Sequence, residues 1–148
     1  MKKLLIASML ALSALSASAA EVGLNSVYDT TSQRFGASVS AKLPAPAGFA
    51  IAPVATITNV TDLYTRYAVG ASFDAYNYKG LTVSVNGGGL YQDTIGSNNG
   101  YAAYVGSKVA YALNKYVNMN VGVERVFGQD KIASNSGNVA SVGVSVKF

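Results

Sequence analysis

Residues 138–148 read NVASVGVSVKF. Ala140, Val142, Val144, Val146 and Phe148 share one parity, and Ser141, Gly143, Ser145 and Lys147 share the other. Side chains alternate across a β-strand, so this stretch predicts a strand with one apolar face and one small, polar face. A soluble sheet hides its apolar face against a second layer. A membrane barrel shows that face to lipid and keeps the polar one inside.

The same period-two pattern recurs upstream, and it predicts seven further strands at 22–28, 34–43, 49–58, 64–74, 81–91, 101–112 and 117–127. Phe35, Ala37, Val39 and Ala41 align in the second; Tyr67, Val69, Ala71 and Phe73 align in the fourth; Val117, Met119, Val121 and Val123 align in the seventh. Most approach the ~9–11 residues that a tilted strand needs to cross a bilayer. Compact connections, Pro44-Ala45-Pro46-Ala47-Gly48, Asn77-Tyr78-Lys79-Gly80 and Asn114-Lys115, alternate with polar, generally longer ones at 29–33, 59–63, 92–100 and 128–137. An even-stranded barrel with tight periplasmic turns and longer outer loops has that order.

Composition agrees. The chain has 148 residues, 50% hydrophobic and only 12% charged, which is sparse for a soluble domain of ordinary composition. Beyond the N-terminus no stretch supplies the roughly 20 apolar residues of a membrane-spanning helix. With no cysteine there is no disulfide or thiolate chemistry. With no histidine there is no Ser-His-Asp triad, no His-bearing zinc site and no ordinary general base near neutral pH. No cofactor and no metal are expected. The formal charge is +4, and two of its lysines, Lys2 and Lys3, sit at the extreme N-terminus. The remaining nine basic and seven acidic residues give +2, too little to predict a nucleic-acid partner.

The first 20 residues have the form of a secretory signal. Lys2 and Lys3 precede an apolar run from Leu4 to Leu15, and Ala17-Ser18-Ala19 supplies the small residues of a cleavage site. The run is too short for a membrane anchor, and no cysteine follows it for lipid attachment. The division is therefore 1–20, cleaved signal, and 21–148, one β-domain beyond the inner membrane.

Aromatic residues give a second view. If strand one runs outward, Tyr28, Phe35, Tyr67, Tyr91, Tyr101 and Phe127 fall at the outer rim. Phe49, Phe73, Tyr111 and Phe148 then fall toward the inner rim, with Tyr76, Tyr78 and Tyr116 in or beside the turns. Amphipathic rings at both interfaces form the girdles of a membrane barrel. Two residues strain this scheme. Pro53, inside strand three, cannot donate to a ladder and calls for a bulge or a shorter strand. Arg125, on the lipid parity of strand seven, calls for a bulge or a side chain that snorkels to the headgroups.

The inward parity is mostly Gly, Ser, Thr, Asn and Ala, and it carries the charges Lys42, Arg66, Asp74, Lys108, Glu124 and Lys147. Buried charges need partners, so pairs of Glu124 with Arg66 and of Asp74 with a lysine are expected. They would make a plugged interior or a gate for small ions. Gly87-Gly88-Gly89 has no helix after it to form a phosphate site, and it reads as a kink that lets strand five coil. Each outer loop carries an aspartate, at Asp29, Asp62, Asp93 and Asp130, which suits turn chemistry and solubility. Arg34, Arg125 and Lys131 are candidate contacts to lipopolysaccharide phosphate.

The whole of 21–148 resembles the small OmpA/OmpX-type barrels. YALNKYVNMNVGVERV, at 111–126, is similar to their last turn and seventh strand. TDLYTR, at 61–66, echoes a segment that in that family follows a periplasmic turn, whereas the strand count here puts it at an outer loop. The resemblance implies an all-β, eight-stranded antiparallel up-and-down transmembrane β-barrel in the bacterial outer membrane. It implies that Val142, Val144, Val146 and Phe148 form the insertion signal read by the barrel-assembly machinery, after periplasmic chaperones deliver the chain. The expected function is that of a non-enzymatic monomer supporting envelope integrity among outer-membrane lipid and lipopolysaccharide, with a narrow or plugged pore. The peptidoglycan-binding domain of full-length OmpA has no counterpart in the sequence. A surface-binding module acting through the outer loops is the alternative. An outer-membrane lipid enzyme would need the histidine this chain lacks, and a soluble calycin-like barrel would turn the valines inward.

Overall fold

Period-two alternation over nearly the whole chain closes into one antiparallel barrel, in which each strand pairs with its sequence neighbours and the last returns to the first. The computed structural model describes residues 21–96, 99–128 and 137–148. In order the strands are β1 (Glu21–Asp29), β2 (Arg34–Lys42), β3 (Ile51–Val60), β4 (Tyr64–Tyr78), β5 (Leu81–Thr94), β6 (Gly100–Ala112), β7 (Val117–Gly128) and β8 (Asn138–Lys147). The expected signal segment, residues 1–20, lies outside the described residues. Closure leaves no strand edge unpaired, the condition for backbone to lie in hydrocarbon.

The β1–β8 register runs from Glu21↔Lys147 to Asp29↔Val139, so the first and last strands meet at one rim. That rim is called inner below, and the opposite one outer. Burial is inverted relative to a soluble domain. Val69, Val121 and Val142 are 68%, 59% and 53% exposed, while Ser38, Ser72, Ser84, Asn118, Asn120 and Ser145 are buried. An apolar surface of this extent in water would drive association. Around a closed barrel it is the lipid-facing band.

Aromatic rings border the band. Tyr28 and Phe35 face each other across β1–β2 at the outer rim, with centroids 4.9 Å apart. Tyr67, Tyr91 and Tyr101 form a row across β4, β5 and β6, and the last two rings are 5.2 Å apart.

The wall departs from the sequence reading in three places. β4 and β5 are longer than expected and meet in a two-residue turn, Lys79-Gly80, both at positive φ, as a tight hairpin requires. A bulge between Asp74 and Tyr76 shifts parity by one residue. It keeps Asp74 on the inner face and lets Tyr76 and Tyr78 join the outward row. The alternation of connection lengths fails in the first half: the inner connection at 43–50 is longer than the outer ones at 30–33 and 61–63.

Pro53 needs no bulge, and β3 starts at Ile51, two residues later than position 49. β3 pairs with β4 without interruption from Ile51 to Val60. On its other side the Pro53 carbonyl accepts from the Leu43 N–H at 2.9 Å, one residue past the end of β2. The missing proline N–H thus falls where the β2 ladder has run out.

Gly87-Gly88-Gly89 acts through one member. A Cβ on Gly88 would collide with the backbone of Val69 and Gly70 on β4, whereas one on Gly89 meets nothing within 4 Å. The close approach of β4 and β5 that coils this wall depends on Gly88 having no side chain.

Candidate functional site

The inward face divides into two tiers. In the outer tier Asp29, buried at the end of β1, gathers several donors. Its Oδ1 accepts from the backbone N–H of Thr31 and Ser32, both at 2.9 Å, and so shapes the β1–β2 turn. Its Oδ2 accepts from the Tyr64 hydroxyl at 2.5 Å and lies 4.0 Å from Arg66 Nη2. Arg66 Nε donates to Gln92 Oε1 at 2.7 Å, and Gln92 Nε2 reaches Thr94 Oγ1 at 3.0 Å. The Arg66 guanidinium also lies 4.0 Å from the centre of the Tyr64 ring, within cation–π range. A buried charge is tolerated where counter-charge and hydrogen bonds surround it, and this cluster supplies both.

Apolar side chains fill the space around it. Val27, Val60, Tyr64 and Val139 pack together with Leu63, and Ala68, Leu90, Tyr104 and Val126 pack with Ala102. The inward face, expected to be mostly Gly, Ser, Thr, Asn and Ala, thus also carries bulky apolar side chains. An eight-stranded barrel is just wide enough for its own side chains, and bulky ones close it. Gly70 makes the room: a Cβ there would stand 2.7 Å from the Tyr104 hydroxyl.

The inner tier is polar. A cavity of about 100 Å³ lies among Asn25, Ser40, Thr56, Asn86 and Asn120, with Glu124 also on its wall. Toward the inner rim its lining includes Lys42 and Ser84: Lys42 Nζ meets Asp74 Oδ1 at 2.7 Å, and the same oxygen accepts from Ser84 Oγ at 2.7 Å. Lys108 Nζ lies 3.2 Å from Glu21 Oε1. These pairs ring the inner mouth.

The sequence-derived residues fall as follows. Lys42 and Asp74 are together. Lys108 pairs with Glu21, the first residue of the expected β-domain. Arg66 lies among Asp29, Gln92 and Tyr64, and Glu124 lies on the wall of the inner cavity. Asp29, assigned to an outer loop, is instead the centre of the outer cluster. Lys147 has inward parity but is exposed at the inner rim, level with Glu21. Glu21 and Asp29 were legible in principle, because both share parity with Gly23, Asn25 and Val27.

On the outside, Val142 and Val144 are exposed on β8, and Phe148 follows it at the rim, 62% exposed. Val146, on the same parity, is partly covered. Arg34 donates to the carbonyls of Thr61 and Asp62 at 3.3 and 3.1 Å, so it ties two outer loops together. Arg125 faces outward with no bulge in β7, and its guanidinium reaches over the Phe127 ring at 5.5 Å. That is the snorkelling geometry, directed to the outer rim. Lys131 lies outside the described residues.

An unbroken eight-stranded cylinder, apolar outside, girdled by aromatics and charge-paired within, defines a transmembrane β-barrel. No family model matches the chain, and no curated protein sequence matches it. Solved structures do share its fold. A de novo designed transmembrane β-barrel superposes with a TM-score of 0.68 at 11% identity, covering 88% of this chain and 96% of the design. The N-terminal β-barrel domain of Pseudomonas aeruginosa OprF gives 0.66 at 15% identity, covering 88% and 98%. The Yersinia pestis outer membrane protein Ail gives 0.60 at 8% identity, covering 89% and 100%. The resemblance read in the sequence therefore holds at the level of the fold: this chain has the architecture of the small eight-stranded outer-membrane barrels.

Proposed function

We propose that the protein is an integral outer-membrane barrel, exported by its first 20 residues, that serves as a closed structural element of the envelope and not as a diffusion pore. The observation that carries this reading is the filled outer tier. The two apolar clusters and the Asp29–Tyr64–Arg66–Gln92 network lie inside the barrel toward its outer end, and the cavity that adjoins them holds about 100 Å³. Small ions meet both an apolar constriction and a fixed charge cluster on this path. The fold and the alternating signal-to-strand organisation of the sequence both support the location.

Planar-bilayer recording of the refolded protein tests the reading. The expected trace is flat, or shows only rare, brief openings. Steady, large conductance steps from the intact chain would refute closure.

A further inference from the structure

The lipid-facing wall holds one charge inside its girdle. Among the described strands only Asp93 and Arg125 have outward parity and charge, and Asp93 lies beyond Tyr91 toward the outer loop. Arg125 lies on the membrane side of Phe127, and no carboxylate among the described residues forms an ion pair with it. A cation turned to hydrocarbon is costly unless it reaches an anion at the interface.

The wall beside it is shaped. A groove of about 520 Å³ runs along β6 and β7, bordered by Val105, Ser107, Val123, Arg125 and Asn138. Val105 stands opposite Arg125 on one side and Gly87 on the other, and Gly89 stands opposite Ala103. These small residues leave the surface next to Val105 bare. The groove therefore offers an apolar bed with a guanidinium and a carboxamide at its outer end, since Asn138 is the β8 partner of Arg125.

We propose that this groove binds the phosphorylated glycolipid of the outer leaflet, with one acyl chain along Val105 and Val123 and a lipid A phosphate held by Arg125 and Asn138. Guanidinium–phosphate pairing is charge-assisted and can be bidentate, which suits Arg125 better than a lysine. Depth selects the leaflet: the guanidinium lies at the Phe127 level, on the outer side. The proposal rests on the outer-membrane reading, and it separates Arg125 from Arg34, whose donors are already engaged by loop carbonyls.

The test is lipid retention measured by native mass spectrometry after refolding into nanodiscs that contain lipid A, lipid A stripped of its phosphates, or phosphatidylglycerol. Wild type should retain lipid A in preference to both other lipids. Arg125→Met should lower lipid A retention about tenfold, the loss of one charge-assisted contact. Arg125→Lys should keep part of it, Val123→Trp should lower it by filling the groove, and Lys79→Met at the inner turn should leave it unchanged. Equal retention of lipid A by an inserted Arg125→Met chain would overturn the site and leave the barrel reading intact. Equal retention of all three lipids by wild type would overturn it too. Failure of the wild-type chain to insert, followed by strand circular dichroism and heat-dependent gel mobility, would overturn the barrel reading and the site with it.

Discussion

Asp29 shows how much depends on one side chain. It accepts from two turn amides and the Tyr64 hydroxyl, and it lies against Arg66 in a place closed to water. Asp29→Ala strands these donors, and we expect it to cost about 3 kcal/mol in urea unfolding from lipid vesicles. Tyr64→Phe removes one hydrogen bond while keeping the ring under the guanidinium, and should cost about 1 kcal/mol. A loss in Asp29→Ala no larger than that in Tyr64→Phe would show that Asp29 is not the hub. The sequence hid this role because an aspartate at a strand end followed by Thr and Ser has the appearance of turn chemistry. The turn reading was correct for Oδ1. What Oδ2 does depends on Tyr64, 35 residues away, and no local pattern encodes that contact.

At the scale of the strand, parity carried most of the information. It separates Val121 from Asn120 and Val142 from Ser141, because a barrel wall has only an inside and an outside. It broke at Ala75, where a bulge turns Tyr76 and Tyr78 outward, and bulges leave no signature that alternation can detect. It does not say which inward positions hold bulk: Leu90 and Val126 fall on the inward parity without further mark, and Val60 falls in the connection expected at 59–63. Two strand-level outcomes follow. Val121→Arg near the midplane should cost ~2–4 kcal/mol in vesicle unfolding, while Gly122→Ala, on the inner face, asks Ser141 Oγ to move and the Ser107 carbonyl to give slightly, and should cost less. Similar losses at both positions would contradict the facing. Gly88→Ala should impair barrel closure and Gly89→Ala should not, because only the first Cβ strikes the β4 backbone. Heat-dependent gel mobility after refolding distinguishes folded from unfolded chains, and equal yields for the two variants would remove Gly88 from the account of coiling.

For the molecule as a whole, the balance is between a lipid-facing exterior and an interior of paired charges and packed side chains. The acids Glu21, Asp29, Asp74 and Glu124 are matched by Lys42, Arg66, Lys108 and Lys147, so the inward face is close to neutral despite its charges. On the proposed reading, paired charges and bulky inward side chains oppose the passage of ions and solutes. The central claim is the direction the apolar parity faces. The chain contains no cysteine, so single cysteines can be placed at will. An environment-sensitive fluorophore at Val121, Val142 or Leu24, with Ser40 as the inward comparison, can be read in vesicles whose acyl chains carry a quencher. The account predicts strong quenching and blue-shifted emission at the three outward positions and little quenching at Ser40. Emission at Val121 and Val142 that ignores the lipid quencher, from a chain that stays in solution without detergent, would contradict it.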